Sequence, residues 1–103
     1  MIIEINESNY DEVLKSDKLV ILDFYATWCG PCINVGKSLK NIDNHFGDKI
    51  LIGKVDVEKN EHLSKKYEVI TLPRIFIIRN EVIMEGFIND NERGLIKRIE
   101  KYL

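Results

Sequence analysis

The hydrophobic pattern of this chain changes period repeatedly, and this alternation constrains the fold more than any other feature. Residues 19–26 form an almost continuous apolar run, which is typical of a strand covered on both faces in a parallel sheet. From Pro31 onward the apolar residues recur with a helical period, and residues 50–57 form a second strand-like run. Strand, helix and strand in this order predict a right-handed parallel crossover.

The helix expected after Pro31 has a well-defined apolar face. Pro31 suits the first helical turn, where its missing N–H costs nothing, and Gly47 is placed as a C-terminal stop. The core-facing positions have helical spacing and are Val35, Leu39, Ile42 and Phe46. This helix should pack on the two strands that flank it.

Shorter elements are expected on either side of this unit. Residues 2–5 give a strand signal, and Ser8 with Asp11 three residues on predicts the N-cap of a short helix. Another short helix is expected through Leu63 and Tyr67.

The last third of the chain predicts an antiparallel hairpin and a terminal helix. Residues 74–78 and 82–88 are β-rich runs separated only by residues 79–81, which is hairpin length. Residues 91–103 have a helical period, with Asp90 or Asn91 as the cap. The apolar side chains of that helix are Leu95, Ile99 and Tyr102.

Length and charge limit the class of protein. A chain of 103 residues, 45% of them hydrophobic, is expected to form a single domain over residues 1–103. The order of the expected elements, βαβ followed by ββα, predicts that this domain is α/β, with a mixed sheet between helices in three layers. The net charge of −2 provides no cluster of basic residues of the kind that binds nucleic acid. No apolar run reaches the ~20 residues that are needed to span a bilayer. Residues 1–5 lack the basic and apolar regions of a secretory signal, so we expect a cytoplasmic protein unless a leader has been removed.

The two cysteines lie together in the motif Trp28-Cys29-Gly30-Pro31-Cys32, between a central strand and a helix. Zinc would need two more ligands, and His45 and His62 lie too far apart in sequence for a zinc finger. A purely structural disulfide is the other alternative, but so short a ring removes little chain entropy, and a cytoplasmic pool would keep it reduced. We therefore expect a redox-active pair and no metal.

The helix N-terminus stabilises a thiolate, which is the nucleophilic form of cysteine. Cys29, just ahead of the helix, should be better exposed than Cys32. Cys29 should therefore attack a substrate disulfide, and Cys32 should resolve the mixed disulfide.

Two ionisable residues are unusual inside the central strands. Asp23 lies in an apolar strand six residues before Cys29, where burial would raise its pKa into the range for proton exchange with the Cys32 thiol. Lys54, in the other central strand, is a possible partner. The alternative is that both reach the rim of the sheet and are solvated.

These residues closely resemble the thioredoxin family. Residues 23–32 match its active-site signature, residues 54–57 and 67–69 match its next two segments, and Pro73 falls at its cis-proline. The resemblance implies the thioredoxin fold, a three-layer α/β/α sandwich with a five-stranded mixed sheet and four helices. It implies a monomeric protein-disulfide reductase with no bound cofactor other than the redox-active disulfide, re-reduced with NADPH electrons by a flavoprotein, thioredoxin reductase.

The resemblance also implies roles for individual residues. Asp23 and Lys54 are similar to the family's buried acid and its neighbour, and Trp28 to an indole that shields the site and contacts disulfide-containing client proteins. The alternative for Trp28 is a partly exposed core aromatic. The expected substrate-binding residues are Trp28, Gly30, Pro31, Thr71, Leu72, Pro73, Arg74 and Asn89.

Four positions depart from the family pattern. Lys37 replaces a proline that kinks the helix, so this helix should be straighter. Arg74 follows Pro73, where Thr is common, and either favours the Cys29 thiolate or points to solvent. The remaining two departures replace glycines and are Glu81, in the hairpin, and Asn89, in the substrate groove.

Three functions remain open from the sequence. The first is a general disulfide reductase, which requires both cysteines, Asp23 and Pro73. The second is a binding module in which the dithiol chemistry is incidental. The third is a disulfide oxidase or isomerase, which the Gly-Pro pair between the cysteines disfavours.

Overall fold

Five strands and four α-helices follow one another in a computed structural model that describes residues 1–103. The elements in chain order are β1 (Ile2–Glu4), α1 (Tyr10–Leu14), β2 (Leu19–Tyr25), α2 (Gly30–Phe46), β3 (Ile50–Asp56), α3 (Glu61–Lys66), β4 (Arg74–Arg79), β5 (Val82–Phe87) and α4 (Glu92–Glu100). A short 3-10 turn, Gly47–Lys49, connects α2 to β3. None of the helices has the length and apolar character needed to cross a membrane.

The strands form one mixed sheet in the order β1-β3-β2-β4-β5. β1 and β2 run parallel to β3, whereas β4 is antiparallel to β2 and to β5. β2 is therefore in the centre, and every residue in it except Tyr25 is buried. This position explains the almost continuous apolar run of the sequence, which only Asp23 interrupts.

Two hydrophobic cores cover the two faces of the sheet, because successive side chains of a strand point to opposite faces. One core contains the α2 residues Val35, Leu39, Ile42 and Phe46 together with Leu95 and Ile99 of α4. The other contains Val13 and Leu14 of α1 and Leu63 of α3. The three-layer α/β/α arrangement with a mixed five-stranded sheet is thus confirmed.

The start of α1 differs from the sequence expectation. The N-cap is Asn9 rather than Ser8, and Asn9 makes no side-chain capping bond to the helix. The Ser8 hydroxyl instead donates to Asn6 Oδ1 at 2.6 Å. Asn6 Oδ1 also accepts from the backbone N–H groups of Ser8 and Asn9. Asn6 therefore organises this turn.

The C-terminal elements follow the expected pattern with a shorter helix. Asn91 caps α4, since its side-chain oxygen accepts from the Gly94 N–H at 2.9 Å. The helix ends at Glu100, and Tyr102 lies beyond it, packed on the core with its hydroxyl donating to Glu85 at 2.7 Å.

Candidate active site

The cysteine pair lies where β2 ends and α2 begins. Cys29 is the N-cap residue of α2, and its backbone N–H donates to the Ala26 carbonyl at 3.2 Å. Cys29 and Cys32 form a disulfide whose Cα atoms are 5.3 Å apart. Gly30 and Pro31, between them, are exposed and form the first helical positions. The motif therefore has the location that the sequence predicts.

The Cys29 sulfur accepts a hydrogen bond from the Cys32 backbone N–H at 3.3 Å. This is the bond that an N-cap side chain normally makes, with sulfur in place of oxygen. When the disulfide is reduced, the same N–H and the helix dipole stabilise negative charge on the Cys29 sulfur. The local backbone thus supplies an activated nucleophile.

Exposure distinguishes the two cysteines less than expected. Cys29 is 6% exposed and Cys32 is 4% exposed. Both belong to a small apolar cluster with Ala26, and Leu72 and Val57 pack against it. This cover protects both sulfurs in the oxidised form, whereas the Gly30-Pro31 turn between them is exposed.

Asp23 is fully buried at 0% exposure, and neither carboxylate oxygen has a hydrogen-bond partner. Burial raises the pKa of the Asp23 carboxyl to about 7, with Lys54 opposing the rise and Glu4 adding to it. A solvated position at the sheet rim is therefore wrong for Asp23. A carboxyl with this pKa is able to hold or release a proton near neutral pH.

Lys54 is the register partner of Asp23 on the neighbouring strand β3. It is half-buried, and its ammonium nitrogen lies 4.5 Å from the centroid of the Tyr25 ring. The Tyr25 hydroxyl in turn donates to Glu4 at 2.9 Å. Lys54 and Cys32 line the same cavity, of about 340 Å³. The structure thus brings Lys54 close to both Asp23 and Cys32.

Trp28 is the most exposed aromatic residue of the site. It is 70% exposed, so the alternative of a core aromatic is wrong. Its Nε1 donates to Glu58 Oε1 at 3.2 Å. No motif in the sequence marks Glu58, although β2 and β3 run parallel and the residues that follow their carboxyl ends should meet at one edge of the sheet.

Pro73 is buried and begins the segment leading into β4, and the Leu72–Pro73 peptide bond is cis. Leu72 packs against the cysteine cluster, whereas Thr71 is exposed. The segment before β4 therefore borders the disulfide.

Arg74 and Asn89 line a second cavity together with Thr71, of about 580 Å³. The Arg74 guanidinium carbon lies 4.4 Å from the centroid of the Phe76 ring, and Nη1 is buried with no hydrogen-bond partner. Arg74 thus stacks on β4 instead of simply pointing to solvent. Asn89 is exposed, and its side-chain oxygen accepts from the Asp90 N–H at 2.8 Å.

No group of three or more His, Cys, Asp and Glu side chains is arranged to hold a metal ion. His45 and His62 are exposed on α2 and α3. The disulfide itself is the redox centre of the structure.

Comparisons with known proteins agree with this geometry. Residues 1–101 match the family model described as Thioredoxin. The chain is 34% identical over 99 residues to Thioredoxin-T of Drosophila melanogaster, covering 94% of this chain and 63% of that protein. It is 40% identical over 100 residues to the chloroplastic Thioredoxin Y of Oryza sativa subsp. japonica, covering 93% and 58%.

This chain therefore spans about 60% of the length of these two relatives. Among solved structures, the thioredoxin of Malassezia sympodialis superposes with a TM-score of 0.88 at 27% identity. That superposition covers 99% of this chain and 90% of the other. The fold similarity thus extends over essentially the whole chain.

Proposed function

The chain belongs to the thioredoxin family, and from this premise we propose that it is a protein-disulfide reductase. The observation that carries the proposal is the Cys29–Cys32 disulfide at the start of α2, with the Cys29 sulfur accepting the Cys32 N–H. A binding module would not need a redox pair at a helix N-terminus, where the backbone favours a thiolate.

The reaction transfers two electrons to the client. The Cys29 thiolate attacks one sulfur of the client disulfide, and the other client sulfur leaves as a thiolate. The Cys32 thiolate then attacks the Cys29 sulfur, and the first client sulfur leaves. The client gains two thiols, and the protein returns to the oxidised Cys29–Cys32 form of this structure.

The second attack requires Cys32 to lose its proton. Asp23 is the base for this step, because its carboxyl has a pKa of about 7 and no hydrogen-bond partner to satisfy. Lys54 steadies the charged form of Asp23, since it opposes the rise of that pKa. Lys54 is therefore a positioning residue that acts through the carboxyl.

The client binds on the side of the disulfide formed by the exposed indole and the loop before β4. An extended segment pairs with the backbone at Leu72, in the manner of an added strand. The Arg74 cation lines the cavity beside Thr71 and Asn89 and favours acidic clients. The residues assigned to client binding are Trp28, Gly30, Pro31, Thr71, Leu72, Pro73, Arg74 and Asn89.

The partners follow from this reaction. A flavoprotein of the thioredoxin reductase type restores the dithiol with electrons from NADPH, and the clients are proteins with accessible disulfides. We place the protein in the cytoplasm as a monomer, with residues 1–103 acting as one domain. A reducing compartment keeps the pair in the dithiol form that starts the cycle.

Reduction of insulin disulfides by the purified protein, driven by a dithiol reductant, tests the proposal. The protein should accelerate precipitation of the insulin B chain, and Cys29→Ser should abolish the acceleration. Cys32→Ser should instead accumulate a mixed disulfide detectable by mass spectrometry, because the attack still occurs and the resolution does not. Full activity of Cys29→Ser would remove the reductase assignment.

A further inference from the structure

A cavity of about 340 Å³ opens beside Cys32, between α2 and the ends of the central strands. Its lining is formed by Tyr25, Ala26, Thr27, Cys32, Ile33, Gly36, Lys37, Lys40 and Lys54. It shares no residue with the cavity that Thr71, Arg74 and Asn89 line. It is therefore a separate feature from the proposed client groove.

The lining of this cavity is cationic. It contains three lysines, Lys37, Lys40 and Lys54, and no aspartate or glutamate. None of these lysines forms an ion pair, whereas Lys65, Arg98 and Lys101 elsewhere in the chain each pair with a carboxylate. Since the protein as a whole has a net charge of −2, this concentration of unpaired cations stands out.

The α2 sequence builds the cavity. Ile33, Gly36, Lys37 and Lys40 lie at helical spacing and so share one side of α2. Gly36 has no side chain, and a Cβ built at its position would lie 3.5 Å from the Lys54 ammonium nitrogen. The missing side chain keeps the space in front of this ammonium open.

Three carboxylates interact with Tyr25 at the cavity, those of Glu4, Asp23 and Asp56, but none of them lines it. Glu4 accepts the Tyr25 hydroxyl at 2.9 Å, so one of its oxygens is engaged. Asp23 is fully buried in β2 and contributes no lining to the cavity. The Lys54 ammonium, 4.5 Å from the Tyr25 ring centroid, thus keeps hydrogen-bonding capacity toward the open space.

We propose that this cavity binds a small, multiply charged anion of the phosphoryl or polycarboxylate class, held by Lys37, Lys40 and Lys54. The two helical lysines supply cations at the mouth, and the half-buried Lys54 supplies one at the base. Thr27 adds a hydroxyl to the lining. Partial exclusion of water at Lys54 strengthens its contact relative to that of a fully exposed lysine.

The site has a consequence for the neighbouring chemistry. An anion beside Lys54 competes with Asp23 for the same positive charge. Bound anion should therefore raise the pKa of Asp23, and binding should strengthen as Asp23 becomes protonated, because the coupling is reciprocal. Glu4, on β1, also interacts with Asp23, and its negative charge opposes the anion.

Titration of the oxidised protein with pyrophosphate and, separately, with citrate at constant ionic strength tests the proposal. Backbone amide chemical shifts should change first at Gly36, Lys37 and Lys40. Tighter binding of pyrophosphate identifies a phosphoryl ligand, and tighter binding of citrate identifies a polycarboxylate. Absence of saturable shifts at these amides up to about 10 mM of either anion, an affinity weaker than about 3 kcal/mol, overturns the proposal.

Matched variants separate a built site from general attraction of anions to lysines. Lys37→Gln and Lys40→Gln should each weaken binding about fivefold, whereas Lys97→Gln, an equal charge change on exposed α4, should have almost no effect. Gly36→Ala changes no charge and should also weaken binding, because its methyl group contacts the Lys54 ammonium. Equal effects of Lys37→Gln and Lys97→Gln would contradict a defined site.

Discussion

Asp23 and Lys54 are register partners on the two central strands β2 and β3, yet only Lys54 reaches the surface. The Asp23 carboxyl is sealed in the sheet without a hydrogen bond, and the Lys54 ammonium lies over the Tyr25 ring. Asp23 is thus fully buried, whereas Lys54 is half-buried. The attraction between the two charges therefore only partly offsets the cost of burying the Asp23 carboxylate.

This arrangement predicts an unusual dependence of stability on pH. The folded protein keeps the Asp23 proton up to about pH 7, whereas the unfolded chain releases it near pH 3.8. The unfolded state therefore binds fewer protons in this window, and the free energy of unfolding should fall as pH rises from about 4 to about 7. The contribution of this one group is about 4 kcal/mol over the whole window.

Asp23→Asn isolates that contribution from the other titrating groups. Urea unfolding of the oxidised wild-type protein and of Asp23→Asn should be compared at pH 4 and pH 8. Between pH 4 and pH 8 the free energy of unfolding of the variant should rise relative to that of the wild type, because the variant has no carboxylate charge to bury. A difference that does not change with pH would refute the burial of an ionisable carboxyl at this position.

The unpartnered guanidinium of Arg74 predicts selectivity for acidic clients. Arg74→Thr should lower kcat/KM about fivefold for a disulfide peptide with acidic residues beside the disulfide, and leave a neutral peptide nearly unaffected. The same variant should be alkylated with an unchanged pH profile at Cys29, since the cation stacks on Phe76. A raised apparent pKa of Cys29 would instead mean that Arg74 acts on the sulfur.

The hydroxyl groups of Tyr10 and Tyr67 lie 2.6 Å apart in the core between the sheet and α1 and α3. Tyr67→Phe should lower the free energy of unfolding by about 1 kcal/mol, because it leaves the largely buried Tyr10 hydroxyl unpaired. The double variant with Tyr10→Phe should recover part of this loss, since no hydroxyl remains unsatisfied. A double-mutant cycle by chemical denaturation measures the coupling, and purely additive losses would exclude the bond.

The β4–β5 turn holds two non-glycine residues at positive φ, Asn80 at 51° and Glu81 at 67°. Asparagine tolerates this region and glutamate does so poorly. Glu81→Gly creates an Asn-Gly hairpin turn and should raise the free energy of unfolding by about 0.5 to 1 kcal/mol. Thermal unfolding should show a Tm higher by about 4 °C, whereas the control Glu81→Ala retains the strain and should gain nothing.

Elements with a long, regular hydrophobic pattern were predictable from the sequence. β2 was predictable because it is covered on both faces, and α2 was predictable because it buries a regular stripe of Val35, Leu39 and Ile42. The cap of α1 was not, because Asn6, Ser8 and Asn9 all offer side-chain oxygens, and only the turn geometry decides which is used. Competition among neighbouring polar side chains for the same backbone N–H groups leaves no periodic pattern in the sequence.

The candidate site, too, was only partly predictable from the sequence. Spacing placed Cys29 at a helix start, but the bond from Trp28 to Glu58 joins two loops far apart in sequence. The orientation of the Arg74 side chain was equally unpredictable, since stacking on Phe76 and contact with solvent both suit an arginine at the start of a strand. Gly86 of β5, the register partner of Phe76, leaves room beside that ring for the Arg74 guanidinium, since a Cβ at Gly86 would lie 3.2 Å from Arg74 Nη1.

Trp28 is the only tryptophan in the chain, and it directly precedes Cys29 while remaining 70% exposed. The tryptophan fluorescence of the protein therefore originates at a single place, next to the disulfide that the proposed reaction opens and closes. The protein thus carries a built-in optical reporter, and stopped-flow emission can follow both its reduction and the arrival of a client without any attached dye.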